Sequence, residues 1–327
     1  MQRIRAGQCR PGILALIEVA NRNPAQLVAS DFGFALGPRI NAAGRLDDMS
    51  FGVELLLSDN LQAARQMASE LDGLNQTRKE IEQGMKEEAM AICERLKFSP
   101  DMEMPYGLAL FQRDWHQGVI GILASRIKEK FHRPVIAFAD AGNGEIKGSA
   151  RSVQGLHMRD TLDLVDTRNP GLIKKFGGHA MAAGLTIAEA DFERFCREFD
   201  GAVREVLDEA ALKGVLLSDG ELLPQEMTLE TAELLRSGGP WGQGFPEPLF
   251  DGEFRLLQQR LVGGKHLKMM LEPVMGGPMI DGIAFNVDLR RWPDPSVQRV
   301  QLAYRLDVNE FRGNRSVQLL VEHLDAI

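Results

Sequence analysis

The 327-residue sequence predicts a multi-domain α/β chain: a layer with a mixed sheet and flanking helices, preceded by a long helix and followed by an all-β barrel. Three observations predict it. Residues 106–214 alternate strand-like and helix-like runs, the signature of an α/β layer. Residues 60–97 hold no Pro and only Gly73 and Gly84, with apolar residues at helical spacing. After Leu217, five strand-like runs are separated by turn signals, and five strands suit a barrel of the OB type.

The first 58 residues read as short helices broken by Pro and Gly, as in "CRPGILALIEVANRNPAQLV". Ile13, Leu14, Leu16 and Ile17 call for packing partners that so short a segment scarcely supplies, so the chain is expected to begin partway through a larger fold. Residues 59–98 form the long connecting helix. Met67, Leu71, Leu74, Ile81, Met85 and Ile92 keep a 4–3 rhythm that Arg78 and Glu88 interrupt. Such a helix spans roughly 55 Å at about 1.5 Å per residue. A rigid spacer between lobes fits better than a coiled-coil dimerisation helix, because globular sequence flanks it on both sides.

Residues 99–214 form the α/β domain. "YGLALFQ", "RPVIAFA" and "GEIKGSARS" are expected strands; "GVIGILASRIKEKF", "MRDTLDLV" and "ADFERFCREFDGAVREVL" are expected helices. In "KKFGGHAMAAG" the paired glycines permit a tight turn and close approach of another backbone or a phosphate. The small residues after it predict a short helix whose free N–H groups face an anion; a tight turn beside a core histidine is the competing reading. Residues 215–327 carry the short helix "TLETAELLRSG", the Pro/Gly-rich "GGPWGQGFPEPLFDG" and the five barrel strands.

A hydrophobic content of 44% and a charged content of 26% place the chain among soluble globular proteins. Cys9, Cys93 and Cys196 are odd in number and widely spaced, which excludes a disulfide framework and a zinc knuckle. With no apolar run long enough to cross a bilayer and no signal-peptide core at the start, the expected location is cytoplasmic, with no membrane partner. A net charge of −8 argues against a generally basic nucleic-acid binder but leaves room for a local basic groove.

Four stretches carry candidate chemistry. "GPRINAAGRLDD" offers Arg39, Asn41 and Arg45 between glycines, suited either to clamping phosphate or to an Arg–Asp structural network. "RDWHQGVIGILASR" places Trp115 and His116 before a helix, where they either face a substrate path or join the core. "GSARSVQG" sets Ser149 and Arg151 at a strand end as a phosphate cradle. The fourth supplies Gly177, Gly178 and His179. No DxD or Asp-His-His cluster occurs and none of the four stretches holds an HxD, so the stretches offer anion ligands and no metal cage.

Residues 218–327 hold eleven Lys and Arg against sixteen Asp and Glu, so nucleic-acid binding by the barrel requires a clustered face. Arg255, Arg260, Lys265, His266 and Lys268 fall around one hairpin and are the candidates, with Phe254, Trp292, Tyr304 and Phe311 as stacking platforms.

In this order, "GPRINAAGRLDDMS", "WHQGVIGILASRIKEKFHRPVIAF", "KGSARSVQGLHMRD", "KKFGGHAMAAGL" and "GPWGQGFPEPLFDG" resemble the RecJ family of the DHH phosphoesterase superfamily, over nearly the whole chain. The glycine-histidine motif alone also suits other DHH phosphodiesterases; the Pro-Trp-Gly stretch before a five-stranded barrel narrows the resemblance. It implies that residues 1–58 are the end of a DHH catalytic lobe, 99–214 the DHH-associated domain and 215–327 an OB-fold for single-stranded DNA. It implies phosphate contacts from Arg39, Asn41, Arg45, Ser149 and Arg151, with Gly177, Gly178 and His179 lining the substrate backbone. The family's metal-binding aspartates and Asp-His-His motif have no counterpart here. The expectation is therefore the C-terminal portion of a 5′→3′ single-stranded-DNA exonuclease of repair and recombination. The whole enzyme would use Mn²⁺ or Mg²⁺, with no ion held tightly and no catalysis by this portion alone. The family further implies a single-strand-binding protein and a recombination helicase as partners. The alternative is a stand-alone, non-catalytic nucleic-acid-binding or scaffold protein.

Overall fold

The computed structural model describes residues 1–97, 104–242, 244–311 and 313–327, excluding the side chains of Lys97 and Phe311. The expected boundary between residues 98 and 99 and the stacking role of Phe311 lie outside the described residues. Contacts divide the chain into a larger unit, Gln2–Leu27 with Gly33–Gly214, and a smaller one, Met1, Val28–Phe32 and Val215–Ile327.

The larger unit begins with the short helices α1 (Gln2–Arg5) and α2 (Pro11–Val19); α3 (Ala29–Asp31) belongs to the smaller unit. Then follow α4 (Gly37–Leu46), α5 (Met49–Leu57) and the 37-residue α6 (Leu61–Lys97). Proline at the start of α2 and of α4 suits the first helical turn, where its missing N–H costs nothing. Asp48 caps α5 by accepting from the Ser50 N–H at 2.9 Å.

Helix α6 buries two separate stretches. Ala64, Ala68 and Leu71 pack with Leu16, Ile17, Leu36, Ala43 and Leu55 from the preceding helices. Met85, Ala89 and Cys93 pack against the α/β layer. Between them, Asn75 and Arg78 are buried. Arg78 donates to Asn75 Oδ1 at 3.0 Å and to Glu82 Oε2 at 2.6 Å, while Arg126 donates to Glu82 Oε1 at 3.2 Å. Within the larger unit the helix thus joins the core of the preceding helices to that of the α/β layer. Arg78 breaks the apolar rhythm because it is buried in an ion pair, and Glu88 because it accepts from the Trp115 indole N–H at 2.8 Å.

The sheet runs β1 (Leu108–Phe111), β2 (Val135–Gly142), β3 (Glu145–Arg151), β5 (Ala182–Ala188), β4 (Ile173–Gly178). The β1–β2 pair is parallel and the others antiparallel, giving the expected mixed sheet. Strand β2 is buried on both faces, as alternation between two covering layers requires. Val135, Ala137 and Ala139 meet α6 and α7 (Ile120–Phe131). Ile136 and Phe138 meet α8 (Met158–Arg168) and α9 (Phe192–Val206).

The run after His179 is a strand, not the expected short helix. Gly177 pairs with Gly184 and Gly178 with Ala183, and the His179 N–H donates to Ala182 O at 2.8 Å, closing a hairpin. Gly178 has φ +153°, and a Cβ there would lie 2.4 Å from Ala183 Cα. Glycine is required at this turn, and the small residues beyond it serve close strand packing.

The smaller unit holds α10 (Leu229–Gly238) and a closed barrel of β6 (Phe250–Val262), β7 (His266–Pro273), β8 (Ile280–Ala284), β9 (Arg299–Phe311) and β10 (Asn314–Ala326). The barrel order is β10-β8-β7-β6-β9, with only β8–β10 parallel, a pairing consistent with the OB type. Phe254, Trp292 and Tyr304 fill its core, Phe254 and Tyr304 meeting edge to face at 5.5 Å. They are therefore closed to a stacking base, which corrects the sequence expectation: alternation turns Phe254 and Tyr304 inward, and Trp292 packs in from the segment between β8 and β9.

Removing Glu82 would leave Arg78 buried without a carboxylate. Glu82→Ala is expected to cost the larger unit about 3–5 kcal/mol in urea unfolding. Glu82→Gln, which keeps a hydrogen-bond acceptor, should cost less.

Candidate phosphate-binding site

Strand β3 sets Ser149 and Arg151 two residues apart, on one face of the sheet. Across the ladder Ser149 pairs with Gly184, which itself pairs with Gly177, while Arg151 pairs with Ala182. A Cβ on Gly177 would meet nothing within 4 Å, and one on Gly184 only Gly148 O at 3.8 Å. The sheet thus brings two of the four sequence stretches together as a bare glycine floor beside a hydroxyl and a guanidinium. His179 is exposed at the tip of the same hairpin.

The second stretch packs over this floor. A Cβ on Gly121, in the first turn of α7, would lie 2.9 Å from Arg151 Nη2 and 3.0 Å from Ser149 Oγ. Ahead of that turn, His116 Nδ1 accepts from the Gly118 N–H at 3.0 Å. Arg45, near the end of α4, donates from Nη1 to Gly118 O at 3.1 Å. A Cβ on Gly118 would fall 2.1 Å from Arg45 O, so glycine alone permits this approach of α4 to α7. Trp115 is buried and tied to Glu88, a core residue and not a stacking surface, whereas His116 is exposed beside the site.

Arg45 and Arg151 are both partly buried, and neither has a carboxylate partner among the described residues. Arg151 donates to Ser149 Oγ at 3.1 Å and to Ala150 O at 2.8 Å. Burial lowers its pKa, and the positive charge of Arg45 lowers it further. Burial likewise lowers the pKa of Arg45, with the charge of Arg78 adding to the effect and Glu82 opposing it. Two guanidiniums that repel each other, beside a hydroxyl and the positive end of α7, have the chemistry that suits an anion.

The other residues of the first stretch divide. Asn41 is exposed one turn before Arg45, on the same side of α4. Arg39 is engaged elsewhere, with Nε 2.8 Å from Asp72 and Nη1 donating to Ala35 O at 2.6 Å. Gly121 and Gly184 were not singled out from the sequence; the available signal was glycine at a helix start and at a strand centre, where a close neighbour is the usual cause.

In the smaller unit, Arg255 pairs with Glu272 at 3.2 Å and Lys268 with Asp281 at 2.8 Å. His266 Nδ1 accepts from the Asn286 N–H at 3.1 Å. Arg260 and Lys265 have no carboxylate partner among the described residues, and Lys265 is exposed. No three His, Cys, Asp or Glu among the described residues come together to hold a metal ion, and no helix there is long and apolar enough to cross a membrane.

Comparison with known proteins accounts for both units. A DHHA1 domain matches residues 104–205 and a RecJ OB domain residues 218–323. The single-stranded-DNA-specific exonuclease RecJ of Escherichia coli is 66% identical over 324 residues, covering 99% of this chain and 56% of the relative. The crystal structure of RecJ from Thermus thermophilus with Mn²⁺ has a TM-score of 0.78 at 26% identity, covering 99% of this chain and 45% of that one. The structure of the same protein with Mg²⁺ gives 0.76 at 25%, covering 98% and 47%. The chain spans about half the length of these relatives. With both domains matched in order, and two residues in three shared with a curated relative along almost all of its length, the chain belongs to the RecJ family.

Proposed function

We propose that the chain is the substrate-holding, C-terminal portion of a 5′→3′ single-stranded-DNA exonuclease of the RecJ type, acting in DNA repair and recombination. Its larger unit would grip phosphates of the strand, and its barrel would bind single-stranded DNA. The observation that carries this reading is the pair Arg45 and Arg151. Each is partly buried without a carboxylate among the described residues, beside Ser149 and the floor of Gly177 and Gly184. A phosphate oxygen accepting from both guanidiniums would relieve their repulsion through charge-assisted bonds. Residues 1–58 would be the end of the catalytic lobe, with Asn41 facing the same strand; His179 would guide its backbone along the hairpin.

The relatives solved with Mn²⁺ and Mg²⁺ point to a divalent ion in the whole enzyme. The donors gathered here are guanidiniums and a hydroxyl, which suit an anion and repel a cation. No step is therefore routed through a metal on these residues.

The reading is tested on 5′-phosphorylated single-stranded DNA in the presence of Mn²⁺. The expected result is binding without cleavage, with Arg151→Ala weakening binding and reducing the salt slope by about 0.7, the share of one phosphate contact on a single strand. An unchanged slope would remove Arg151 from the site. Cleavage abolished by Arg151→Ala would show that this portion is itself catalytic.

Gly121→Ala separates site from stability. Only the hydroxyl of Ser149 and the flexible end of Arg151 need yield, so the unfolding midpoint should scarcely move. DNA affinity is expected to fall about as far as in Arg151→Ala. On the barrel, the double variant Arg260→Ala, Lys265→Ala should reduce the salt slope by about 1.4. Variants at Arg255 or Lys268, already neutralised by Glu272 and Asp281, should change it less.

A further inference from the structure

The outward face of β6, β7 and β8 gathers positive charge on a unit that is otherwise acidic. Arg260 and Lys268 are cross-strand neighbours, and Lys268 lies opposite Ile283 on β8. Lys265 sits in the turn between β6 and β7, just before His266. Among the described residues, the carboxylates paired with this group of cations are Glu272, on Arg255, and Asp281, on Lys268. Arg260 and Lys265 have no such partner there.

An exposed aromatic ring stands beside the turn that carries Lys265 and His266. Along β8, Ile280, Gly282 and Ala284 point inward, so Asp281 and Ile283 point out, and Phe285 continues the outward row one step past the strand. Leu267 pairs with Ala284, which sets Phe285 beside His266; their rings meet edge to face at 4.9 Å. The backbone around Phe285 is pinned to the β6–β7 turn, because the Asn286 N–H donates to His266 Nδ1 at 3.1 Å and the Val287 N–H to Lys265 O at 3.1 Å. Phe285 is nevertheless 53% exposed. Its flat ring is held in place at little further cost in side-chain freedom, with cations nearby on the same face.

We propose that Phe285 is a base-stacking platform of the barrel, taking one nucleobase of single-stranded DNA while Arg260 and Lys265 hold the flanking phosphates. The proposal rests on the reading of the barrel as a single-strand binder. A base suits this place better than a protein partner, since the adjoining strand and turn carry Arg260 and Lys265 without a carboxylate partner among the described residues, and a protein interface centre is depleted of charge. OB barrels bind oligonucleotides on the face of their second and third strands and on the loop joining the first two. In this barrel those are β7, β8 and the turn carrying Lys265.

The test compares a thymidine oligonucleotide with an abasic oligonucleotide of equal length, by fluorescence anisotropy on the full chain. Phe285→Ala is expected to weaken binding of the thymidine strand about ten-fold, the size of one lost base–aromatic stack, and to leave the abasic strand unchanged. Phe285→Trp should restore the thymidine affinity. An unchanged thymidine affinity, or an equal loss on both strands, overturns the platform while leaving the barrel a DNA binder. Failure of the unaltered chain to bind either strand overturns the underlying reading, and the platform with it.

Discussion

A helix of 37 residues is a liability unless its length is covered, and the larger unit is organised around covering α6. Two apolar stretches meet two different cores. The joint between them is the hydrogen-bonded chain Asn75, Arg78, Glu82 and Arg126, buried at Asn75 and Arg78 and reaching the surface at Arg126. That joint ties α6 to α7, while Arg39 and Asp72 tie α6 to α4. With both helices fixed to one rod, the end of α4 and the start of α7 have a set separation. The approach of Arg45 to Gly118 follows from it.

The electrostatics around Arg45 and Arg151 follow from the same joint. Glu82 is already engaged by both Arg78 and Arg126 and favours the Arg45 charge without forming an ion pair with it. Arg45 in turn stands against Arg151, whose hydrogen-bond acceptors are a hydroxyl and a carbonyl. Burying an unpaired cation is costly, and burying two beside each other is more so. Such an arrangement persists where an anion completes it or where the surrounding structure overrides the repulsion; here the glycine floor leaves open space beside the pair.

The helices, the mixed sheet and the five-stranded barrel were legible in the sequence, because each has its own period and its own turn residues. Ser149, Arg151 and Arg45 were also marked as a set, though not the fold that joins them. What stayed hidden depended on partners distant in the chain. Ala180 to Gly184 read as the start of a helix because small residues favour close packing in either conformation, and only pairing with β3 selects the strand. Arg39 and Arg45 were equivalent on paper, and Asp72 on α6 separates them. The aromatic residues showed the same limit: one step of alternation decides whether a ring fills a barrel or leaves it. Phe254 and Tyr304 turn inward, whereas Phe285 turns outward.

A net charge of −8 and a capacity to hold a polyanion are compatible when attraction is local. At physiological ionic strength, exposed charges further than roughly 8 Å apart are largely screened from one another. A strand approaching the barrel would therefore sense Arg260 and Lys265 far more than the sixteen acidic residues of that segment. At low salt the screening weakens and the general acidity opposes approach. Nucleic acid that does not reach those cations is then repelled. On the proposed reading, an acidic chain with a few uncompensated arginines and lysines would limit non-specific adhesion while keeping its grip local to those cations. A uniformly basic surface would hold any polyanion anywhere on it, and a ring set beside the Lys265 turn would then confer no advantage.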